Sequence, residues 1–247
     1  MARYMFGDFV VELHNRYPHL ENQCQFFLYE GDRETDFVVS VTDEEMMQEA
    51  KVSQHPDSKG YLESVCAYRK LCMQIPHRNA MLLHASVVEA EGRGIAFFAR
   101  SGVGKTTHTR HWIRTYFPKV NIVNGDKPII RFFDGVPYAY GTPWAGKEGI
   151  YRLVRTELKD LCLIERASVN EVTPLSKEEA LNLIMLQIFL PQDPQAAMAT
   201  LDMVEKLLEN CNLWRIRCTP DRESAVVAYE TIVGGKNHEA KVSICTP

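Results

Sequence analysis

Apolar positions come first in short, dense runs. Residues 8–13, 25–29 and 35–41 are rich in Phe and Val, and Gly31-Asp32 punctuates the second pair, a pattern that predicts three short strands. The spacing then changes. Leu62, Val65, Cys66, Tyr68, Leu71, Cys72 and Ile75 recur at intervals of three and four, which predicts a helix with one buried face, ended by Pro76. Two apolar runs follow at 81–88 and 95–98, joined by Glu91-Gly92-Arg93-Gly94, and read as a pair of core strands. The second run leads through a Gly-rich turn into a helical stretch at 105–117, stopped by Pro118. Further strands are expected at 120–123, 128–133 and 136–140, with Asp134-Gly135 as the hairpin turn between the last two.

The C-terminal part reads as helical. Ser176 and Glu179 have the spacing of a capping box ahead of a helix reaching residue 190, and 196–208 is a second helix. Residues 213–218 alternate like a strand. Thr219-Pro220-Asp221 opens a last helix that Gly234-Gly235 ends. Strands mixed with helices give an α/β class, with α+β as the alternative. A boundary near residue 78 divides a strand-rich region, 1–78, packed on a core formed by 79–247.

Composition narrows the function. A chain of 247 residues with 45% hydrophobic and 24% charged positions buries a full core without disulfide or metal staples, which excludes a disordered chain. The net charge of −4 supplies no basic face for a polyanion, so nucleic acid is not expected as a partner, while small phosphorylated ligands remain open. Seven scattered Cys without a C-x-x-C pair point to reduced, buried thiols in the cytoplasm. The first residues lack the apolar core of a signal peptide. The most apolar stretch, 181–190, is too short to span a bilayer, so no membrane association is expected.

The segment that carries chemistry is Ala99-Arg100-Ser101-Gly102-Val103-Gly104-Lys105-Thr106-Thr107. It fits the P-loop (Walker A) pattern with Ala99 in place of the first Gly. Such a loop aims consecutive backbone N–H groups and a helix N-terminus at a triphosphate. Gly102 and Gly104 let the chain turn inward. Ser101, Val103 and Thr107 contribute to the cradle, Lys105 supplies a cation for the β- and γ-phosphates, and the Thr106 hydroxyl is a ligand for Mg²⁺. The other reading is a plain strand–turn–helix junction.

Leu83-His84-Ala85-Ser86 ahead of this loop, with Ser101-Gly102-Val103-Gly104-Lys105-Thr106, resembles the catalytic domain of HPr kinase/phosphorylase, a family related to phosphoenolpyruvate carboxykinase. Tyr61-Leu62-Glu63, Thr106-Thr107-His108-Thr109-Arg110, Asp126-Lys127-Pro128 and Thr142-Pro143-Trp144-Ala145-Gly146-Lys147 are similar to bacterial HPr-kinase-like proteins. The resemblance covers residues 60–190 and implies a mixed-sheet P-loop core with C-terminal helices. It is compatible with a homo-oligomer.

The resemblance also implies a pair of adjacent aspartates on the strand after the loop. Only Asp126 is present, with Gly125 or Lys127, according to register, where the other acid is expected. Asp126 is then a Mg²⁺ ligand or the base for a substrate hydroxyl, or else a turn residue before Pro128. His84 matches the family's histidine near the acids; it either orients Asp126 and relays its proton or is a satisfied core residue. Lys147 is a second cation in a loop over the phosphates, unless that loop is a turn with a packed Trp144. Arg152, Arg155 and Arg166 are phosphate clamps or surface residues. The glycines of the family signature near Glu165-Arg166 are replaced by Ala167 and Ser168. His108 and His111, three apart, permit metal ligation, but a polar helix surface is the favoured account. The expected function is an ATP-dependent (or GTP-dependent) kinase, a transferase that moves the γ-phosphoryl with Mg²⁺ to an unidentified hydroxyl of a small molecule or a protein serine. Lys105, Asp126 and His84 are its expected catalytic residues. A nucleotide-binding regulator with little or no turnover is the alternative.

Overall fold

The computed structural model describes residues 2–100 and 102–235. Ser101, named above, and Cys245, one of the seven cysteines, lie outside them. Gly7 and Asp8 take positive φ of 57° and 63° and fold the chain into an antiparallel hairpin of β1 (Ala2–Phe6) and β2 (Phe9–His14). The single strand expected at 8–13 is therefore the second arm of a pair. Residues 25–29 are not a strand. Pro18 opens α1 (Pro18–Cys24), and Gln25–Phe27 tightens into a 3-10 turn whose Phe27 plugs the core.

β3 (Phe37–Ser40) pairs parallel with β2. α2 (Asp43–Ala50) follows, started by a reciprocal capping box between Thr42 and Glu45. α3 (Lys59–Gln74) buries Leu62, Cys66, Leu71 and Cys72, as its spacing predicts. The first hydrophobic cluster joins these elements to the rest of the chain: Phe6, Phe9 and Leu71 belong to one core with Ile129, Tyr140 and Trp144.

The run 81–88 is two strands, not one. β4 (Ala80–Leu82) ends at Leu83-His84-Ala85 before β5 (Ser86–Ala90) begins, because the Leu83 and His84 amides donate to Pro128 O and Gln187 O. β5 turns through Glu91-Gly92, both at positive φ, into β6 (Arg93–Phe98). Then come α4 (Lys105–Tyr116), β7 (Val120–Asn124), β8 (Ile129–Phe133) and β9 (Val136–Tyr140). The last two are joined by Asp134-Gly135 in the same turn chemistry.

The C-terminal part is not simply helical. β10 (Arg155–Arg166) is a 12-residue strand at the centre of the sheet, and β11 (Glu171–Pro174) is another strand. α5 (Lys177–Ile184) stops short of residue 190. α6 (Pro194–Asn210), β12 (Asn212–Cys218) and α7 (Glu223–Ile232) complete the described chain, with α7 starting after Pro220 rather than on it.

β10 begins antiparallel to β9, then runs parallel between β6 and β12. β5 and β7 extend the sheet beyond β6, and β11 caps β12. The period of two sorts side chains to opposite faces. Ile95 and Phe97 of β6 join Cys162 and Ile164 of β10 under Trp112 of α4 and Ala225, Ala228 and Ile232 of α7. Ala96 and Phe98 join Leu161 and Leu163 under Ile184 of α5 and Met203 and Leu207 of α6. A mixed sheet covered by helices on both faces is an α/β core, and it leaves the carboxyl ends of the parallel strands β6, β10 and β12 along one edge. Among the described residues no helix is long and apolar enough to cross a membrane.

Candidate functional site

β6 delivers the chain into the loop at that edge. Gly102 and Gly104 sit at φ of 79° and 123°, and a Cβ at either would meet nothing within 4 Å. Backbone conformation, not crowding, is what requires glycine there. Val103 N–H donates to Arg100 O and closes the turn. Among the described residues no side chain caps α4, so the first amides of the helix remain available to an anion. Arg166 is not a phosphate clamp: its Nε donates to Val103 O at 2.8 Å and its Nη2 to Gly102 O, so it braces the carbonyl side of the loop.

Lys105 and His84 meet at Asp126. Asp126 Oδ1 is 3.1 Å from Lys105 Nζ and 3.0 Å from His84 Nε2, and Lys127 Nζ pairs with Oδ2. Burial alone would push this carboxyl up. The His84 hydrogen bond and the charges of Lys127 and Lys105 outweigh it and hold the group well below the usual carboxylate range. Burial also lowers the Lys105 ammonium, against the pull of Asp126. His84, in the break between β4 and β5, has a side chain 41% exposed, so it is no core residue.

Two residues without a role in the sequence reading position the carboxylate. Asn124 is fully buried, and its Oδ1 accepts the Asp126 and Lys127 amides at 2.9 and 2.7 Å. Its Nδ2 donates to Thr142 O and lies 3.0 Å from Thr142 Oγ1, while the Thr142 hydroxyl donates to Lys127 O. An Asn ending an apolar strand just before Gly-Asp is the signal that could have exposed this turn.

Trp144 is packed, stacking edge-on to Phe6 and donating from Nε1 to Ser64 Oγ. Its loop crosses Asp126 closely, for a Cβ on Gly146 would lie 3.1 Å from the Asp126 Cβ. Lys147 remains exposed on the rim. The same loop closes the space at Gly125, one of the two positions at which the resemblance implies a second acid. A Cβ on Gly125 would lie 2.7 Å from Ala145 O and 3.2 Å from Ile150 O, and the Gly125 amide donates to Ile150 O. Gly125→Asp is therefore expected to cost about 1–3 kcal/mol in a thermal melt.

The loop, His84 and Asp126 face a cleft of about 1140 Å³ that Tyr61, Tyr68 and Arg69 of α3 also line. Thr106 opens into this cleft; Thr107 lies on the other side of the loop. Arg152 and Arg155 do not line it, and Arg155 is held by the Tyr140 hydroxyl and Asp8.

No family model matches the chain. No curated protein matches it either. Among solved structures the chain is similar to the Hpr(Ser) kinase/phosphatase from Coxiella burnetii, at a TM-score of 0.35 and 9% identity, over 62% of this chain and 94% of that one. So slight a likeness does not bear on the chemistry.

His108 and His111 are no metal site. His108 is buried rather than on the helix surface, and its Nε2 accepts the Trp112 indole N–H at 3.0 Å. Burial drives its pKa down to about 3, so the ring stays neutral. His111 donates to Pro220 O. Among the described residues no group of three His, Cys, Asp or Glu gathers to hold a metal. The six described cysteines are free and buried.

Proposed function

We propose that the protein is an HPr-kinase-like phosphotransferase that binds a nucleoside triphosphate on the 102–107 loop and passes the γ-phosphoryl to a hydroxyl held in the cleft. The observation that carries this reading is the meeting of Lys105 and His84 on one carboxylate, Asp126, beside the uncapped N-terminus of α4. Phosphoryl transfer asks mainly for positioning and charge neutralisation, and this group of residues supplies both.

The donor set fits Mg²⁺, which needs only one or two protein oxygens when phosphates provide the rest. Thr106 and Asp126 would hold it, and the ion would neutralise charge on the phosphate oxygens. Lys105 exchanges Asp126 for the phosphate tail. Asp126 accepts the proton of the acceptor hydroxyl, and His84 keeps the carboxylate turned toward the cleft.

A second reading, a nucleotide-binding regulator with no turnover, is favoured by Lys127. Its ammonium occupies Asp126 Oδ2, and the space a second acid would need at Gly125 is closed. Thermal melts and ADP release separate the two. ATP with Mg²⁺ at about 100 times Kd should stabilise the chain by about 2.7 kcal/mol, an effect absent in Lys105→Ala. ADP release that depends on an added hydroxyl compound supports the kinase, and stabilisation without release across a broad panel supports the regulator. Without stabilisation, both readings fail.

A further inference from the structure

Behind the phosphate loop lies a second cavity, of about 340 Å³, which shares Gly104 with the large cleft. It sits outside the carboxyl ends of the parallel strands. Val103 follows β6, Ile164 and Ala167 lie at the end of β10, Cys218 ends β12, and Thr107 faces in from α4. Such an edge is where open α/β sheets take up ligands, and the size is that of a small-molecule pocket.

The loop sets the direction of the ligand. Lys105 and Thr106 open toward Asp126, whereas Thr107 opens toward the small cavity. A triphosphate laid across the first turn of α4, with its γ end at Lys105, sends its α-phosphate toward Thr107. We infer that the small cavity receives the base and ribose of the nucleotide, so that nucleoside and acceptor occupy opposite sides of the loop. This rests on the nucleotide-binding reading above.

The walls suit a flat ring. Val103, Ile164, Ala167 and Cys218 are apolar, and the two histidines, Ser224, Thr219 and Arg166 already have partners. His108 Nδ1 lies 3.3 Å from Ser224 Oγ, and His111 Nε2 donates to Pro220 O at 2.9 Å. The base is then held by shape and stacking more than by its hydrogen-bonding edge.

Calorimetry with two probes, ADP and inorganic tripolyphosphate, each with Mg²⁺, tests this. Ala167→Trp, which fills the cavity, should weaken ADP about tenfold or more and leave tripolyphosphate within about threefold. Undiminished ADP affinity in that variant overturns the inference while the phosphate site stands. If the wild-type chain binds neither probe, the nucleotide reading fails and takes the inference with it. Should the variant lose both probes together, photolabelling of the wild-type chain with 8-azido-ADP decides: label within residues 164–167 or 218–224 supports the inference, and label within 61–69 overturns it.

Discussion

Asp126→Asn is expected to lower phosphoryl transfer by about 10²–10⁴-fold, the range a positioned acid–base group contributes. The amide keeps an oxygen for His84 and Lys105 but cannot take a proton. It also frees Lys105 from the ion pair that phosphate must displace. Binding of tripolyphosphate without Mg²⁺ should therefore be unchanged or tighter in the variant, while turnover collapses. Weaker binding together with unchanged turnover would assign Asp126 to structure alone. The pH dependence carries a sign as well. Because the folded pKa of Asp126 is depressed, its contribution to stability is present above the ordinary carboxylate range, near pH 4, and is lost as pH falls through the lower folded value. Urea melts of Asp126→Asn should accordingly show a flatter loss of stability below about pH 4 than the wild type.

Asp160→Ala is expected to destabilise the fold by about 3–5 kcal/mol, the usual consequence of removing one partner from a buried pair. Asp160 is fully buried. It accepts three hydrogen bonds from Arg93, at 2.9 to 3.2 Å, and one each from Asn212 Nδ2 and Trp214 Nε1, both at 3.0 Å. The carboxylate thus ties β10 to β6 on one side and to β12 on the other. At about 2–4 °C per kcal/mol for a chain of this size, the melting temperature should fall by about 6–20 °C. A fall of under 2 °C would mean that the pair is dispensable.

That aspartate also marks where the sequence stops being readable. Helix α4, the hairpins at Glu91-Gly92 and Asp134-Gly135, and α3 each have local chemistry that states their form, and all are present. β10 does not. Glu157, Lys159 and Asp160 break the alternation, and partners distant in sequence, Arg93 with Asn212 and Trp214, make a charge tolerable inside the sheet. The strand expected at 25–29 failed for a related reason: its aromatic residues serve a 3-10 turn packed under the N-terminal sheet, and density of Phe does not distinguish the two. α2 was not expected from the sequence, because it is too short and acidic to show a strong apolar stripe; the Thr42 and Glu45 capping box was its one local signal.

The site divides in the same way. The loop glycines and Lys105 follow from spacing, and Asp126 and His84 from the resemblance. The Asn124 turn and the closed space at Gly125 depend on the 142–150 loop folding back, which no local pattern announces.

Trp144 sets a practical bound on dissecting this protein. The indole is seated among Phe6, Tyr68 and Ser64, all from the first 78 residues, while its own loop roofs Asp126. A fragment that starts after residue 78 would keep the 102–107 loop and Asp126 yet lose the keystone that holds the ceiling over its carboxylate, so an inert fragment would say nothing against the intact chain.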